Sequence, residues 1–232
     1  MKLLLLSNSS NKGETYMEWC KNTISDFVVG HQENIIFISY AAASFPLQEY
    51  SSKVNEALHD VNIKVTGIEE FANPKEAVAN ASAIFVGGGN TFQLIKLLQD
   101  NDLLGIIKEK VKAGTPYVGW SAGSNIAGPT ICTTNDMPIV QPNSFDALNL
   151  ISFQINPHYT EETLPNHGGE TRKQRLNEYL YVNRESKVVC LPEATYLNVI
   201  GNILYYFGVD SGKTLSLTEE KTLNPGDTFD LS

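Results

Sequence analysis

The most informative segment for the fold is Pro116-Tyr117-Val118-Gly119-Trp120-Ser121-Ala122-Gly123. Its first half is apolar and rich in β-forming residues, and the small residues after Ser121 suit a tight turn into a helix. Gly-x-Ser-x-Gly at such a junction is typical of a nucleophile elbow, which exposes the serine hydroxyl at the carboxyl end of a strand. The bare string also occurs by chance in glycine loops, and only the strand-turn-helix setting favours the functional interpretation. Ser124 lies one helical turn further on, and we expect its hydroxyl to bond to the backbone.

Short apolar runs alternate with helix-length segments on the amino-terminal side of this motif. The predicted strands cover residues 2–6, 34–39, 63–65, 83–86 and 116–119. The predicted helices cover residues 16–29, 47–59, 91–98 and 103–113, and a short one opens at Pro74. This alternation predicts an α/β fold with a three-layer, doubly wound, mostly parallel sheet. We expect one catalytic domain over residues 1–232.

The carboxyl-terminal third has a different pattern. It predicts strands at 151–155 and 187–191, a helix at 170–182, and strands at 196–200 and 204–207 around Gly201-Asn202, which is a hairpin signal. We therefore expect a β-rich carboxyl-terminal part.

Composition and charge exclude several classes of partner. The chain has 17 Lys plus Arg against 26 Asp plus Glu, a formal net charge of −9 that repels nucleic acid and anionic membrane surfaces. The apolar run 3–6 ends at Ser7 and is too short for a signal-peptide core, and no later run is long enough to span a membrane. We expect an unprocessed cytoplasmic protein.

The three cysteines, Cys20, Cys132 and Cys190, are widely spaced and form no Cys-x-x-Cys pair. We expect reduced thiols and no metal site. Cys190 lies in an apolar run, where burial raises a thiol pKa and makes the sulfur a poor nucleophile.

A serine nucleophile needs a general base, and four histidines compete for that role. His31 and His59 have the setting of surface residues. His158 directly follows the predicted strand 151–155, so we expect it at the same end of the parallel sheet as Ser121. His167 lies in a glycine-containing loop, which favours substrate contact over precise proton transfer.

The base in turn needs an orienting carboxylate, and two candidates remain open. Glu193 follows the predicted strand 187–191 and would leave the sheet on the side of the site. Asp136 precedes Pro138 and could instead cap a turn. The sequence does not decide between them.

Gly87-Gly88-Gly89-Asn90-Thr91 follows a strand and opens a helix, a setting in which backbone N–H groups can surround an anion. A nucleotide loop is one interpretation, but the dinucleotide fingerprint is incomplete and the lysine of a phosphate loop is absent. We favour an oxyanion hole formed by N–H groups of Gly88 or Gly89 and of Ala122. Asn90 is a candidate for substrate contact.

Arg172 and Arg175 lie just after the His167 loop, and a guanidinium matches a carboxylate with two parallel hydrogen bonds. For these two arginines, both alternatives remain open: a place on a solvated helix face and a role in substrate binding. The solvated face is the better interpretation for Lys173.

Four segments together resemble the S51 family of serine peptidases, the aspartyl dipeptidases of the peptidase E type. They are Phe85-Val86-Gly87-Gly88-Gly89-Asn90-Thr91-Phe92, Gly119-Trp120-Ser121-Ala122-Gly123-Ser124-Asn125, Phe153-Gln154-Ile155-Asn156-Pro157-His158 and Gly169-Glu170-Thr171-Arg172.

The resemblance implies a sheet related to class I glutamine amidotransferases and hydrolysis of dipeptides with N-terminal aspartate. It assigns Ser121 as nucleophile, His158 as base, Asp136 or Glu193 as acid, and Arg172 as the reader of the aspartate side chain. It implies no metal and no cofactor, a small peptide as substrate, and leaves monomer and homodimer open. The alternatives are a cyanophycinase-like peptidase, an esterase, or a non-catalytic binder of small anions.

Overall fold

The computed structural model describes residues 1–163 and 168–230. The strands are β1 (Lys2–Leu6), β2 (Ile35–Ile38), β3 (Val65–Gly67), β4 (Ala83–Val86), β5 (Tyr117–Trp120), β6 (Gln154–Asn156), β7 (Val188–Cys190), β8 (Thr195–Ile200), β9 (Ile203–Gly208), β10 (Gly212–Leu215), β11 (Glu220–Leu223) and β12 (Thr228–Asp230). The α-helices are α1 (Lys21–Phe27), α2 (Leu47–Leu58), α3 (Pro74–Ala79), α4 (Thr91–Asp100), α5 (Leu104–Lys112), α6 (Ala122–Asn125) and α7 (Arg172–Val182). Two 3-10 turns cover His59–Val61 and Ile68–Glu70.

The larger sheet has eight strands in the order β12-β9-β8-β1-β5-β4-β2-β3. The five strands from β1 to β3 are parallel, and β8, β9 and β12 extend the sheet with antiparallel pairing. The β8–β9 hairpin turns at Gly201-Asn202, as predicted, because Ile200 pairs with Ile203. The predicted mostly parallel sheet and β-rich carboxyl-terminal part are confirmed.

Both faces of this sheet are covered, which makes it the middle of three layers. Successive side chains of β1 point to opposite faces: Leu3 and Leu5 join the apolar cluster that includes α3, α4 and α5, and Leu4 and Leu6 join the cluster that includes α1 and α2. The side chains of all four leucines are fully buried. This two-sided burial explains why the parallel strands are continuous apolar runs.

A second sheet of four strands, β11-β10-β7-β6, holds the segments that precede His158 and Glu193. The expectation that His158 leaves the same sheet as Ser121 is therefore wrong. Packing brings the two sheets together: Ile155 and Val189 join the cluster of the main sheet. On its other face, Val188 and Cys190 pack against α7.

Two predicted elements begin three or more residues later than expected. The helix predicted from residue 16 starts at Lys21, because Met17 has φ 62°, which an α-helix cannot contain. The strand predicted from residue 151 starts at Gln154, because the N–H groups of Leu150 and Ile151 donate to the carbonyl of Ala127 instead of to a neighbouring strand. Within the described ranges, no helix is long and apolar enough to cross a membrane.

Candidate active site

Ser121 lies in a sharp turn between β5 and α6. Its backbone has φ 52° and ψ −111°, a region that costs a residue with a side chain about 1–3 kcal/mol. The Ser121 N–H donates to the carbonyl of Leu6 at 3.1 Å. The Ser124 hydroxyl lies 2.7 Å from the carbonyl oxygen of Leu6 and 2.8 Å from that of Gly119, which confirms its predicted backbone bonding. These bonds hold the strained turn against β1.

Both glycines of the motif are required by close backbone packing. A Cβ on Gly119 would lie 2.5 Å from the carbonyl oxygen of Gly123. A Cβ on Gly123 would overlap the carbonyl of Val86 in β4. The turn can therefore approach its neighbouring strands only without side chains at these two positions.

The Ser121 hydroxyl is hydrogen-bonded to a histidine that also contacts a carboxylate. Nε2 of His158 lies 2.7 Å from Oγ of Ser121, and Nδ1 of the same ring lies 2.6 Å from Oε1 of Glu193. Because β6 and β7 pair in parallel, the residues that follow them leave the second sheet at the same end. The side chains of His158 and Glu193 are 38% and 53% exposed, so a substrate can reach the pair from solvent.

This geometry suits nucleophilic catalysis. With its proton on Nδ1, the neutral imidazole donates to Glu193 and accepts from the Ser121 hydroxyl. His158 can then take the hydroxyl proton as the oxygen attacks, while the Glu193 carboxylate stabilises the imidazolium that forms.

Asp136, the other candidate acid, is bonded elsewhere. Its Oδ2 accepts from the backbone N–H of Thr91 at 2.7 Å, from the Thr91 hydroxyl at 2.6 Å and from the Thr134 hydroxyl at 3.1 Å. A carboxylate at the amino end of α4 is stabilised by the free N–H groups there. Asp136 thus binds the amino end of α4, which differs from the predicted cap of a turn before Pro138, and Glu193 is the carboxylate that contacts His158.

Asn90 is the N-cap of α4. Its side-chain oxygen accepts from the N–H of Gln93 at 3.0 Å, and its amide nitrogen donates to the carbonyl of Met137 at 2.9 Å. Both ends of the amide are therefore bonded within the protein, and substrate contact by Asn90 stays a prediction.

The loop between β4 and α4 lies against the serine. A Cβ on Gly88 would lie 2.9 Å from Cβ of Ser121. Among the described residues, the N–H groups of Gly88, Gly89 and Ala122 have no hydrogen-bond acceptor. These are the donors predicted to form the oxyanion hole, and that role stays a prediction.

Tyr50, a residue that the sequence reasoning missed, holds this loop. Its hydroxyl donates to the carbonyl of Gly88 at 2.9 Å and accepts from the indole N–H of Trp120 at 3.0 Å. Burial raises the pKa of the Tyr50 hydroxyl, which keeps the donor proton in place. Because C=O and N–H point in opposite directions across a trans peptide, this bond fixes the direction of the Gly89 N–H.

Arg172 and Arg175 differ in their surroundings. Arg175 is exposed, whereas Arg172 is half-buried, and its Nη1 is buried with no partner among the described residues. Burial, followed by the charge of Arg175, lowers the pKa of the Arg172 guanidinium. His167, the third predicted substrate contact, lies outside the described residues.

The described residues contain no cluster of three or more His, Cys, Asp or Glu side chains that could hold a metal ion. Two other polar residues were missed by the sequence reasoning. Ser7 and Asn8 directly follow β1 at the edge where Ser121 lies, and both are buried. The available signal was their place directly after a buried strand, at the edge where α/β sheets bind ligands.

The fold and the hydrogen-bonded line from Ser121 to Glu193 place the protein among the α/β serine hydrolases. A family model described as "Peptidase family S51" matches residues 3–205. Peptidase E of Nostoc sp. is 46% identical over 220 residues, which cover 95% of this chain and 91% of that protein. Peptidase E of Shewanella amazonensis is 49% identical over 205 residues, which cover 88% of this chain and 87% of that protein. The chain belongs to peptidase family S51 and is a hydrolase.

Two solved structures share the fold. A peptidase from an acI-B1 actinobacterium superimposes with a TM-score of 0.75 at 17% identity, covering 99% of this chain and 96% of that one. A putative peptidase E protein from Listeria monocytogenes gives a TM-score of 0.67 at 22% identity, covering 90% and 98% of the two chains.

Proposed function

We propose that this protein is a serine dipeptidase that hydrolyses dipeptides with N-terminal aspartate through an acyl-enzyme on Ser121. The observation that carries the chemistry is the pair of short contacts that His158 makes, one to Ser121 at 2.7 Å and one to Glu193 at 2.6 Å. The resemblance of the sequence to aspartyl dipeptidases supports the substrate.

The proposed reaction has two halves. As the Ser121 oxygen attacks the carbonyl carbon of the aspartyl residue, its proton passes to Nε2 of His158. The tetrahedral oxyanion is bound by N–H groups of Gly88 or Gly89 and of Ala122. His158 then protonates the leaving amine as the C–N bond breaks. His158 next takes a proton from water as the water oxygen attacks the resulting ester. It returns that proton to the Ser121 oxygen as the ester bond breaks, which releases aspartate and restores the Ser121 hydroxyl.

Hydrolysis of three substrates tests the proposal. Asp-Leu is compared with Leu-Leu, which lacks the acidic side chain, and with N-acetyl-Asp-Leu, which lacks the free ammonium. We expect cleavage of Asp-Leu alone. Cleavage of the acetylated substrate would favour an enzyme acting on aspartyl polymers. If no substrate is cleaved but fluorophosphonate labels Ser121 rapidly, the serine hydrolase assignment is supported and the dipeptidase assignment is rejected.

Arg172 is the proposed reader of the aspartate side chain. Its buried Nη1, without a partner among the described residues, is a donor ready to pair with a carboxylate. Arg172 begins α7, the helix that packs against Tyr159 and Cys190. Tyr159 directly follows His158, and Cys190 lies three residues before Glu193. The aspartate pocket would therefore lie next to the proposed base.

Replacing Arg172 should remove the preference for aspartate. We expect Arg172→Gln to lower kcat/KM for Asp-Leu by roughly 100-fold, because truncating one partner of a desolvated charge pair costs about 2–5 kcal/mol. Arg175→Gln is the matched control, since it removes the same charge from an exposed position, and its kcat/KM should stay within about 3-fold of wild type. Steady-state kinetics measure both, and an equal loss in the two variants would reject the assignment.

Tyr50 should support the oxyanion hole. Tyr50→Phe removes the donor to Gly88, so we expect kcat to fall by about 10-fold with KM little changed, less than the 10²- to 10³-fold cost of losing an oxyanion donor outright. The unpaired indole N–H of Trp120 should also lower stability by about 1–3 kcal/mol. Tyr16→Phe is the control. It removes a hydroxyl that contacts the Tyr50 hydroxyl at 3.5 Å, and it leaves the bond from Tyr50 to Gly88 intact. Full kcat in Tyr50→Phe would contradict this role.

We also propose a cytoplasmic location and a monomeric or homodimeric state. The exposed free thiol of Cys132 suits a reducing compartment. Cell fractionation and light scattering on the purified protein test the two statements.

A further inference from the structure

We infer that Ser7 and Asn8 are positioning residues that hold His158 and Glu193 in contact with each other and with Ser121. Both residues directly follow β1, and their relative exposures are 0% and 1%. Neither can touch a substrate. The inference rests on the proposed roles of His158 and Glu193.

Ser7 ties the segment of the base to the segment of the acid. Its hydroxyl donates to the carbonyl of Leu191 at 2.8 Å and accepts from the N–H of His158 at 2.9 Å. Leu191 lies two residues before Glu193. One buried hydroxyl on the main sheet thus connects the two strand ends of the second sheet.

Asn8 makes the matching contact on the other side of Glu193. Its side-chain oxygen accepts from the N–H of Ala194 at 2.8 Å. Its amide nitrogen donates to the carbonyl of Ser10 at 2.9 Å and to Oδ1 of Asn11 at 2.7 Å. The amide group is therefore fixed by its own loop and presents its oxygen to the residue that follows Glu193.

The two N–H groups that Ser7 and Asn8 capture belong to residues with unfavourable backbone. His158 has φ 54° and Ala194 has φ 56°, a region that residues other than glycine rarely adopt. Such conformations persist only where surrounding bonds enforce them. The direction of the His158 side chain depends on this φ, which the Ser7 bond stabilises together with the bond from the N–H of Tyr159 to the carbonyl of Leu191 at 2.9 Å.

Catalysis is sensitive to the position of the base. A base must stay within hydrogen-bond reach of the proton that it takes, and a misplacement of about 1 Å can cost about 100-fold in rate. Ser7→Ala removes both bonds of the bridge. We expect kcat to fall by about 10- to 100-fold, with KM within about 2-fold of wild type because Ser7 is out of reach of the substrate.

Ser39→Ala is the control that distinguishes a positioning role of Ser7 from the general effect of losing a buried hydrogen bond. Ser39 follows β2 as Ser7 follows β1, is likewise 0% exposed, and donates to Oε2 of Glu69 at 2.7 Å. Both variants should unfold at a lower temperature than wild type, and only Ser7→Ala should lose kcat. An equal loss of kcat in both variants would show that Ser7 stabilises the fold without positioning His158.

The deciding experiment is a double-mutant cycle between Ser7→Ala and Glu193→Gln, read by kcat for Asp-Leu and by the rate of fluorophosphonate labelling. If Ser7 acts through the His158–Glu193 pair, its effect should shrink to about 3-fold or less in the Glu193→Gln background. The same fold-loss in both backgrounds would overturn the inference.

Crystal structures of Ser7→Ala and of wild type measure the position of His158 without any substrate. Displacement of His158 from Ser121 or Glu193 is expected, and an unchanged pair of distances would overturn the inference. Failure of the proposed function gives a different result, namely wild-type protein that neither cleaves Asp-Leu nor labels at Ser121. In that case the two crystal structures decide the positioning role alone.

Discussion

Ser121→Ala is expected to lose hydrolysis of Asp-Leu by about 10⁶-fold, the scale on which removal of a serine nucleophile acts in other hydrolases. Water attacking a peptide at this site would retain only the assistance of the oxyanion donors and of substrate binding. The fold should persist, because the Ser121 side chain makes no cap to α6. Its bond to His158 at 2.7 Å is the contact that the variant loses.

The measurement is kcat for Asp-Leu with thermal unfolding and fluorophosphonate labelling in parallel. Ser124→Ala is the matched control, since it removes a neighbouring hydroxyl that bonds to the carbonyls of Leu6 and Gly119. That variant should be less stable by about 1–3 kcal/mol and should still label at Ser121. Full activity in Ser121→Ala, or labelling that follows Ser124, would overturn the assignment of the nucleophile.

Glu193→Gln should give the second largest effect, a fall in kcat of about 10³- to 10⁴-fold with KM little changed. An amide at this position can donate to Nδ1 of His158, which favours the tautomer that cannot accept the Ser121 proton. It also removes the charge that stabilises the imidazolium. Solvent replaces part of that charge effect, because the Glu193 side chain is 53% exposed, so the lower end of the range is expected.

Asp136→Asn is the matched control for this prediction. Its Oδ2 bonds to Thr91 and Thr134 hold the amino end of α4, so the substitution should lower stability by about 0.5–2 kcal/mol. Some loss of kcat is expected with it, because α4 follows the glycine loop. The two variants differ in their signature: Glu193→Gln should keep its Tm, and Asp136→Asn should not. Loss of kcat at unchanged Tm in Asp136→Asn alone would reverse the two roles.

Local sequence was enough to predict the nucleophile turn. Gly119 and Gly123 flank Ser121 because backbone from the same short stretch and from β4 leaves no room for a Cβ. The bounds of strands that consist of one short apolar run were also predicted well. β4 begins and ends with its apolar run, and β1 ends where its apolar run does.

The α/β class was predictable from the alternation of strand and helix patterns along the chain. Ser121 with its elbow, and His158 as the histidine at a strand end, were predictable from patterns within about ten residues. The tertiary structure decided which carboxylate meets His158 and that the base leaves a second sheet. It also decided that Ser7 joins Leu191, 184 positions away, and that Tyr50 reaches Gly88, 38 positions away. Such contacts are set by how the sheets pack, and packing depends on the summed burial of residues distant in sequence rather than on any local pattern.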